Sequence, residues 1–175
     1  MKFTETRLKG AFVIDLEKRE DDRGFFARTF CKNEFGEQGL ETDFVQGNMS
    51  SNSKKGTLRG LHRQVDPQQE VKVIRCTKGA IYDVIVDLRK DSSTYKQWLG
   101  IELTDENYKM LYVPKDFAHG FITMKENSEV MYLVSEFYTP GAESGLRYND
   151  PAFNIKLPIR VEVISQKDAN WENYE

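Results

Sequence analysis

Two histidines occur in these 175 residues, and each lies in a segment suited to the wall of an active site. His62 sits in Leu58-Arg59-Gly60-Leu61-His62-Arg63-Gln64, and His119 follows Val113-Pro114-Lys115-Asp116-Phe117-Ala118 and precedes Gly120-Phe121. Imidazole exchanges its proton near neutral pH, so either residue is a candidate general base. The competing reading is structural, with one His satisfied in a core and the other on a surface loop. Cationic and amide residues collect in the segments around His62: Arg23, Gln46, Asn48, Arg59 and Lys72. Guanidinium forks match phosphate oxygens in pairs, whereas Lys supplies a point charge. Arg23 and Arg59 each precede a glycine, where a ligand can approach the backbone closely. The set points to an anion site beside a base.

A base that inverts a carbon centre needs an acid on the opposite face, and a tyrosine hydroxyl is a suitable donor. Tyr132 and Tyr138 fall in one apolar run, and their even spacing along a strand would send both side chains to one face. One would donate a proton while the other stacks on a ring. Equally, both would serve as core aromatics with hydroxyls at the rim. A mononuclear metal site would want two or three His plus a carboxylate, and the chain offers no third His, so no metal is expected. Cys31 and Cys76 lack a CxxC partner; they are expected as reduced thiols, with Cys76 buried in its strand.

The elements that must position these groups are mostly strands. Residues 11–16, 72–76, 80–88, 98–103, 108–113 and 129–137 are short runs rich in Val, Ile and aromatics, separated by polar turns such as Lys90-Asp91-Ser92-Ser93. In residues 81–88 the alternation puts Tyr82, Val84 and Val86 on one face, and Ile81, Asp83, Ile85 and Asp87 on the other. A carboxylate inside such a strand either faces a polar cavity or meets a cation, so Asp83 suggests a pocket-facing strand. Helical signal is thin: residues 32–39, ended by Gly39, and a turn or two within 165–174. One all-β domain spanning 1–175, a sandwich or barrel, accounts for the pattern.

Hydrophobic residues make up 39% and charged residues 30%, as in a globular domain with a real core. The net charge of -3 argues against a nucleic-acid partner, without forbidding a local cationic pocket. No apolar run follows Met1 and none is long enough to span a bilayer, so a cytoplasmic location with no membrane partner is expected.

Six motifs then fall in a familiar order: Asp21-Asp22-Arg23-Gly24-Phe25-Phe26, Gln46-Gly47-Asn48-Met49-Ser50, Leu58-Arg59-Gly60-Leu61-His62, Phe117-Ala118-His119-Gly120-Phe121, Tyr148-Asn149-Asp150 and Ser165-Gln166-Lys167-Asp168. Together they cover nearly the whole chain and resemble the dTDP-4-dehydrorhamnose 3,5-epimerase family. The resemblance implies a cupin-type jelly roll (a double-stranded β-helix), usually a homodimer, acting on a nucleoside-diphosphate 4-keto-6-deoxy sugar without metal or redox cofactor. It makes His62 the base, Asp168 the carboxylate that orients it, and Tyr132 the acid. Lys72 and His119 become the groups that stabilise an enolate oxygen. Arg23, Gln46, Asn48, Arg59, Glu143 and Lys167 match substrate- or nucleotide-contacting positions, with Tyr138 stacking on the nucleobase. Arg23 and Phe26 would complete the partner's nucleotide site.

The chain departs from the family pattern at three places. Arg63 stands where an aromatic commonly follows the base, Arg28 where Glu is frequent, and Tyr148 where Trp is usual. Arg28 and Arg63 would add cationic groups where sugar and nucleotide should lie. Two other functions fit the same frame: a ketoisomerase, which moves a carbonyl and needs no acid opposite the base, and a non-catalytic sugar-nucleotide-binding jelly roll. The binding module would keep the arginines without needing Tyr132 and Asp168 together.

Overall fold

Alternating apolar strands that each bury one face must stack in layers. The computed structural model describes residues 1–174. In chain order its strands are β1 (Lys2–Glu5), β2 (Phe12–Asp15), β3 (Arg19–Asp21), β4 (Gly24–Phe26), β5 (Gln46–Asn52), β6 (Thr57–Gln64) and β7 (Lys72–Lys78). They continue with β8 (Ala80–Asp87), β9 (Trp98–Thr104), β10 (Met110–Val113), β11 (Phe117–Thr123), β12 (Ser128–Val134), β13 (Glu143–Gly145) and β14 (Val163–Ile164). The helices are α1 (Lys32–Glu37) and α2 (Gln166–Ala169).

The strands form two facing sheets, the jelly-roll arrangement expected from the sequence. One runs β1-β2-β10-β7-β12-β5; the other runs β13-β6-β11-β8-β9, with β14 added parallel to β6. The order crosses between distant parts of the chain, so residues far apart in sequence meet on neighbouring strands. A separate hairpin pairs β3 with β4.

Strand alternation sorts the core into three layers. Ile74, Cys76, Ile81, Ile85, Leu103, Phe117 and Val130 fill the space between the sheets. Val84 and Val86 face the other way with Leu61 and Ala118, covered by Leu146, Tyr148 and Phe153 of the C-terminal segment. The two faces of β8 therefore divide as its alternation requires. Outside the first sheet, Ile14, Val73 and Tyr112 pack against Phe35 of α1. Burial pushes the Cys76 thiol up to about 11, and both cysteines are free. Among the described residues no helix is long and apolar enough to cross a membrane.

The expected strand over 129–137 ends at Val134, which corrects the placement of the second tyrosine. Tyr138 lies beyond the strand on a loop leading to Thr139-Pro140-Gly141, 61% exposed, so it does not share a strand with Tyr132. Strands β5, β6 and β11 carry the motifs yet are missing from the apolar runs: the inner faces of β5 and β6 line a polar cavity, and β11 interrupts its core residues Phe117 and Phe121 with His119 and Gly120.

Candidate active site

The site lies between the two sheets, where the apolar interior gives way to polar side chains. A cavity of about 550 Å³ is lined by Arg59, His62, Lys72, His119, Tyr132, Lys167 and Asp168, among others. A second chamber of about 310 Å³ is lined by Gln46, Asn48, Gln64, Glu70, Tyr138 and Glu143. His62, Lys72 and Tyr132 line both, so the chambers meet at these three side chains.

Residues three apart on a regular strand point to opposite faces, yet Arg59 and His62 both enter the first chamber. A register shift resolves this. His119 pairs with His62 while Phe121 pairs with Arg59, so β6 spends one residue more than β11 over the same stretch. The strands approach closely here: a Cβ on Gly60 would lie 2.6 Å from the Gly120 Cα, and one on Gly120 would lie 2.6 Å from the Arg59 carbonyl oxygen. Only glycines fit on both sides of this bulge. Arg59 is steadied by donating from Nε to Asn52 Oδ1 (2.7 Å).

Each imidazole has a carboxylate behind it. His62 Nε2 lies 2.5 Å from Asp168 Oδ1, and the Gly60 N–H donates to Asp168 Oδ2 (3.2 Å). Asp168 is held by a local device: Ser165 caps α2, its hydroxyl accepting from the Asp168 N–H at 3.0 Å. Burial pushes the Asp168 carboxyl upward, but the hydrogen bonds from His62 and the Gly60 N–H outweigh it and leave the group below the ordinary carboxylate value. On the other ring edge, His62 Nδ1 faces Glu143 Oε1 at 3.6 Å, while Glu143 Oε2 accepts from the Lys167 ammonium. That bond raises the Lys167 pKa. His119 Nε2 lies 2.7 Å from Asp83 Oδ1, and Asp83 is fully buried. Asp83 thus faces His119 at the polar end of the interior.

The lowered folded value of Asp168 fixes the sign of a stability effect. The paired carboxylate stabilises the fold above the ordinary carboxylate range, and this contribution is lost as pH falls through the lowered folded value. Asp168→Asn is expected to be less stable than the parent at neutral pH by about 1–3 kcal/mol, with the gap closing in acid. Urea unfolding at a series of pH values checks this; a gap independent of pH would refute it.

On the opposite sheet, Tyr132 and Lys72 point inward, Tyr132 in register with Asn48 and Lys72 with Val134, whose other neighbour is Gln46. Burial pushes the Tyr132 hydroxyl up, Glu70 adds to this and Arg59 opposes it; the net direction is upward. Lys72 Nζ lies 2.9 Å from Glu70 Oε1. Gln46 accepts from the Tyr138 N–H (3.0 Å), so it tethers the loop that brings Tyr138 to the second chamber.

Eleven of the fourteen sequence-derived site residues therefore converge. Arg23, Phe26 and Arg28 do not meet them within the chain. Arg23 pairs with Asp21 on the exposed β3–β4 hairpin, and Phe26 is 66% exposed. Arg28 lines a separate cavity with Phe26 and donates to Glu34 (2.6 Å), apart from this site within the chain. Arg63, by contrast, lines the second chamber beside His62 and Gln64. One residue past inward-facing His62, its guanidinium is taken up by Asp116 (3.0 Å). Tyr148 packs in the outer core layer. The sequence reading passed over Glu70 and gave Gln64 no role; loop carboxylates beside basic residues ordinarily signal a solvated surface. Among the described residues no cluster of three or more His, Cys, Asp or Glu could hold a metal ion.

Comparison with known proteins identifies the family. The sequence profile of the dTDP-4-dehydrorhamnose 3,5-epimerase family matches residues 5–175. The dTDP-4-dehydrorhamnose 3,5-epimerase of Methanothermobacter thermautotrophicus is 43% identical over 174 residues, covering 98% of this chain and 93% of the relative. The crystal structure of the Bacillus anthracis enzyme with TDP and PPi bound superposes with a TM-score of 0.95 at 42% identity, covering 99% of each chain. That of the Legionella pneumophila epimerase in complex with dTDP-4-keto-L-rhamnose gives 0.89 at 36% identity, covering 95% of this chain and 89% of that one. Fold, motifs and relatives agree: the chain is an isomerase of the dTDP-4-dehydrorhamnose 3,5-epimerase family.

Proposed function

We propose that the chain epimerises a dTDP-linked 4-keto-6-deoxyhexose at C3, C5 or both, through an enolate. The observation that carries this reading is the disposition of His62 and Tyr132, which line one pocket from opposite sheets. A 4-keto group acidifies the hydrogens on C3 and C5. With the Nε2 proton of His62 directed to Asp168, Nδ1 keeps its lone pair and accepts the carbon-bound proton. Asp168 then stabilises the imidazolium. The Lys72 ammonium and the His119 imidazole stabilise the negative charge that develops on the carbonyl oxygen. Tyr132, kept protonated by burial, reprotonates carbon from the other face and inverts it. Arg59 and Lys167 offer charges to the diphosphate, and Tyr138, Gln46, Asn48 and Glu143 line the chamber for the nucleoside.

The reading includes a homodimer in which Arg23 and Phe26 reach the partner's nucleotide chamber. Support comes from the protruding β3–β4 hairpin and from Met49 and Met131, which sit 69% and 44% exposed on adjacent strands of the first sheet. Sedimentation should give twice the chain mass.

The reaction is tested with a panel of dTDP-, GDP- and CDP-linked 4-keto-6-deoxy sugars in deuterated water, followed by proton NMR. The dTDP sugar is expected to exchange and invert, with full activity kept after chelator treatment and dialysis. Carbonyl migration instead of inversion would establish the ketoisomerase. Neither exchange nor inversion across the panel would leave a binding module. Turnover lost on chelation and restored by a divalent ion would overturn the metal-free mechanism.

A further inference from the structure

We propose that Glu70 is a positioning residue for this reaction, which rests on the epimerase reading: its carboxylate, clamped by Gln64, fixes the Lys72 ammonium in the pocket wall beside Tyr132. The residue lies just before β7, outside every strand. Both carboxylate oxygens are engaged, Oε1 by Lys72 Nζ at 2.9 Å and Oε2 by Gln64 Nε2 at 3.1 Å, and both partners of the ion pair are largely buried.

Gln64 is itself buried, at the end of the strand that carries His62. Its amide nitrogen also reaches the carbonyl oxygens of Gln68 (3.2 Å) and Phe137 (3.1 Å), and its oxygen accepts from the Thr139 N–H (2.7 Å). One side chain therefore ties together the base strand, the loop bearing Glu70 and the loop bearing Tyr138. A free lysine chain has four rotatable bonds and would sample many positions; the Glu70 clamp removes that freedom before substrate arrives. A fixed ammonium stabilises a developing enolate without reorganising at the moment of reaction.

The same carboxylate acts on the acid. The charged and titratable groups in the two chambers that meet at Tyr132 are Glu70 on the loop before β7, Lys72 on β7, and, from the other elements, Arg59, His62, Arg63, His119, Tyr138, Glu143, Lys167 and Asp168. After burial, Glu70 is the main influence holding the Tyr132 hydroxyl protonated, against Arg59. Removing the Glu70 charge should make Tyr132 more acidic. Inversion needs Tyr132 protonated, so its alkaline limb should move to lower pH.

The experiment compares Glu70→Gln and Glu70→Asp with the parent on the dTDP sugar, measuring deuterium exchange, inversion, KM and the pH profile of inversion. Glu70→Gln is expected to lower kcat for exchange and inversion by about ten- to a hundredfold, to leave KM nearly unchanged, and to bring the alkaline limb down. Glu70→Asp keeps the charge but shortens its reach; it should lose kcat while keeping the parent's alkaline limb. A merely structural role would not move that limb. An active parent with a Glu70→Gln variant of unchanged kcat and pH profile overturns the inference alone. If Glu70→Gln does not fold, a Glu70→Asp variant with the parent's kcat overturns it. A parent that neither exchanges nor inverts overturns the epimerase reading and this inference with it.

Discussion

His62→Asn is expected to lower deuterium exchange into the sugar by about 10²–10⁴-fold, the usual loss on removing a general base. Asparagine is polar and close in size to imidazole, so the chamber it lines should persist. Binding of dTDP should be largely kept, because the groups offered to the nucleotide are other side chains. The comparison is made by proton NMR at saturating substrate, with dTDP affinity measured on the same preparation by calorimetry. Exchange at the parent rate would remove His62 as the base and shift attention to His119, the other imidazole of the cavity.

The second large effect separates two steps that a turnover assay merges. Tyr132→Phe keeps the ring and its packing and deletes only the hydroxyl. Exchange through His62 should continue, since proton abstraction and return on one face need no second acid. Inversion should fall by about 10²–10⁴-fold, the loss of a general acid. Followed separately by NMR in deuterated water, the variant should show a substrate that takes up deuterium but forms little inverted product. Unchanged inversion would remove Tyr132 as the acid and leave Tyr138 or a water in that role.

Strand alternation made one half of the molecule legible from sequence. In β8 the two faces divide between two layers, and Asp83, expected to face a pocket, sits instead behind the pocket-lining His119. Strands of the site were harder to see for a physical reason. β5 reads Gln46-Gly47-Asn48-Met49-Ser50-Ser51-Asn52, with polar residues turned inward toward a cavity and Met49 turned outward. That pattern resembles a loop when judged by hydrophobicity alone. Tyr138 was misplaced because Phe137 prolongs the apolar run, although its side chain is 58% exposed. The pairing of His62 with Asp168 spans 106 residues and was reachable only through the order of motifs. Glu70 carried no local signal, since its role depends on Gln64 and Lys72 arriving from two directions.

The bulge between β6 and β11 has a consequence for how this chain can change length. Loss or gain of one residue in most surface strands shifts a register and is absorbed at the next turn. Between Arg59 and His62 it cannot be absorbed. Removing the extra residue would restore regular alternation and turn either the guanidinium or the imidazole out of the cavity. An added side chain at Gly60 or Gly120 would meet backbone atoms of the neighbouring strand. This stretch of β6 should therefore tolerate neither insertion nor deletion. A jelly roll lacking the extra residue would have to acquire it before it could house the same two side chains, so the spacing of the site is a length constraint as much as a chemical one.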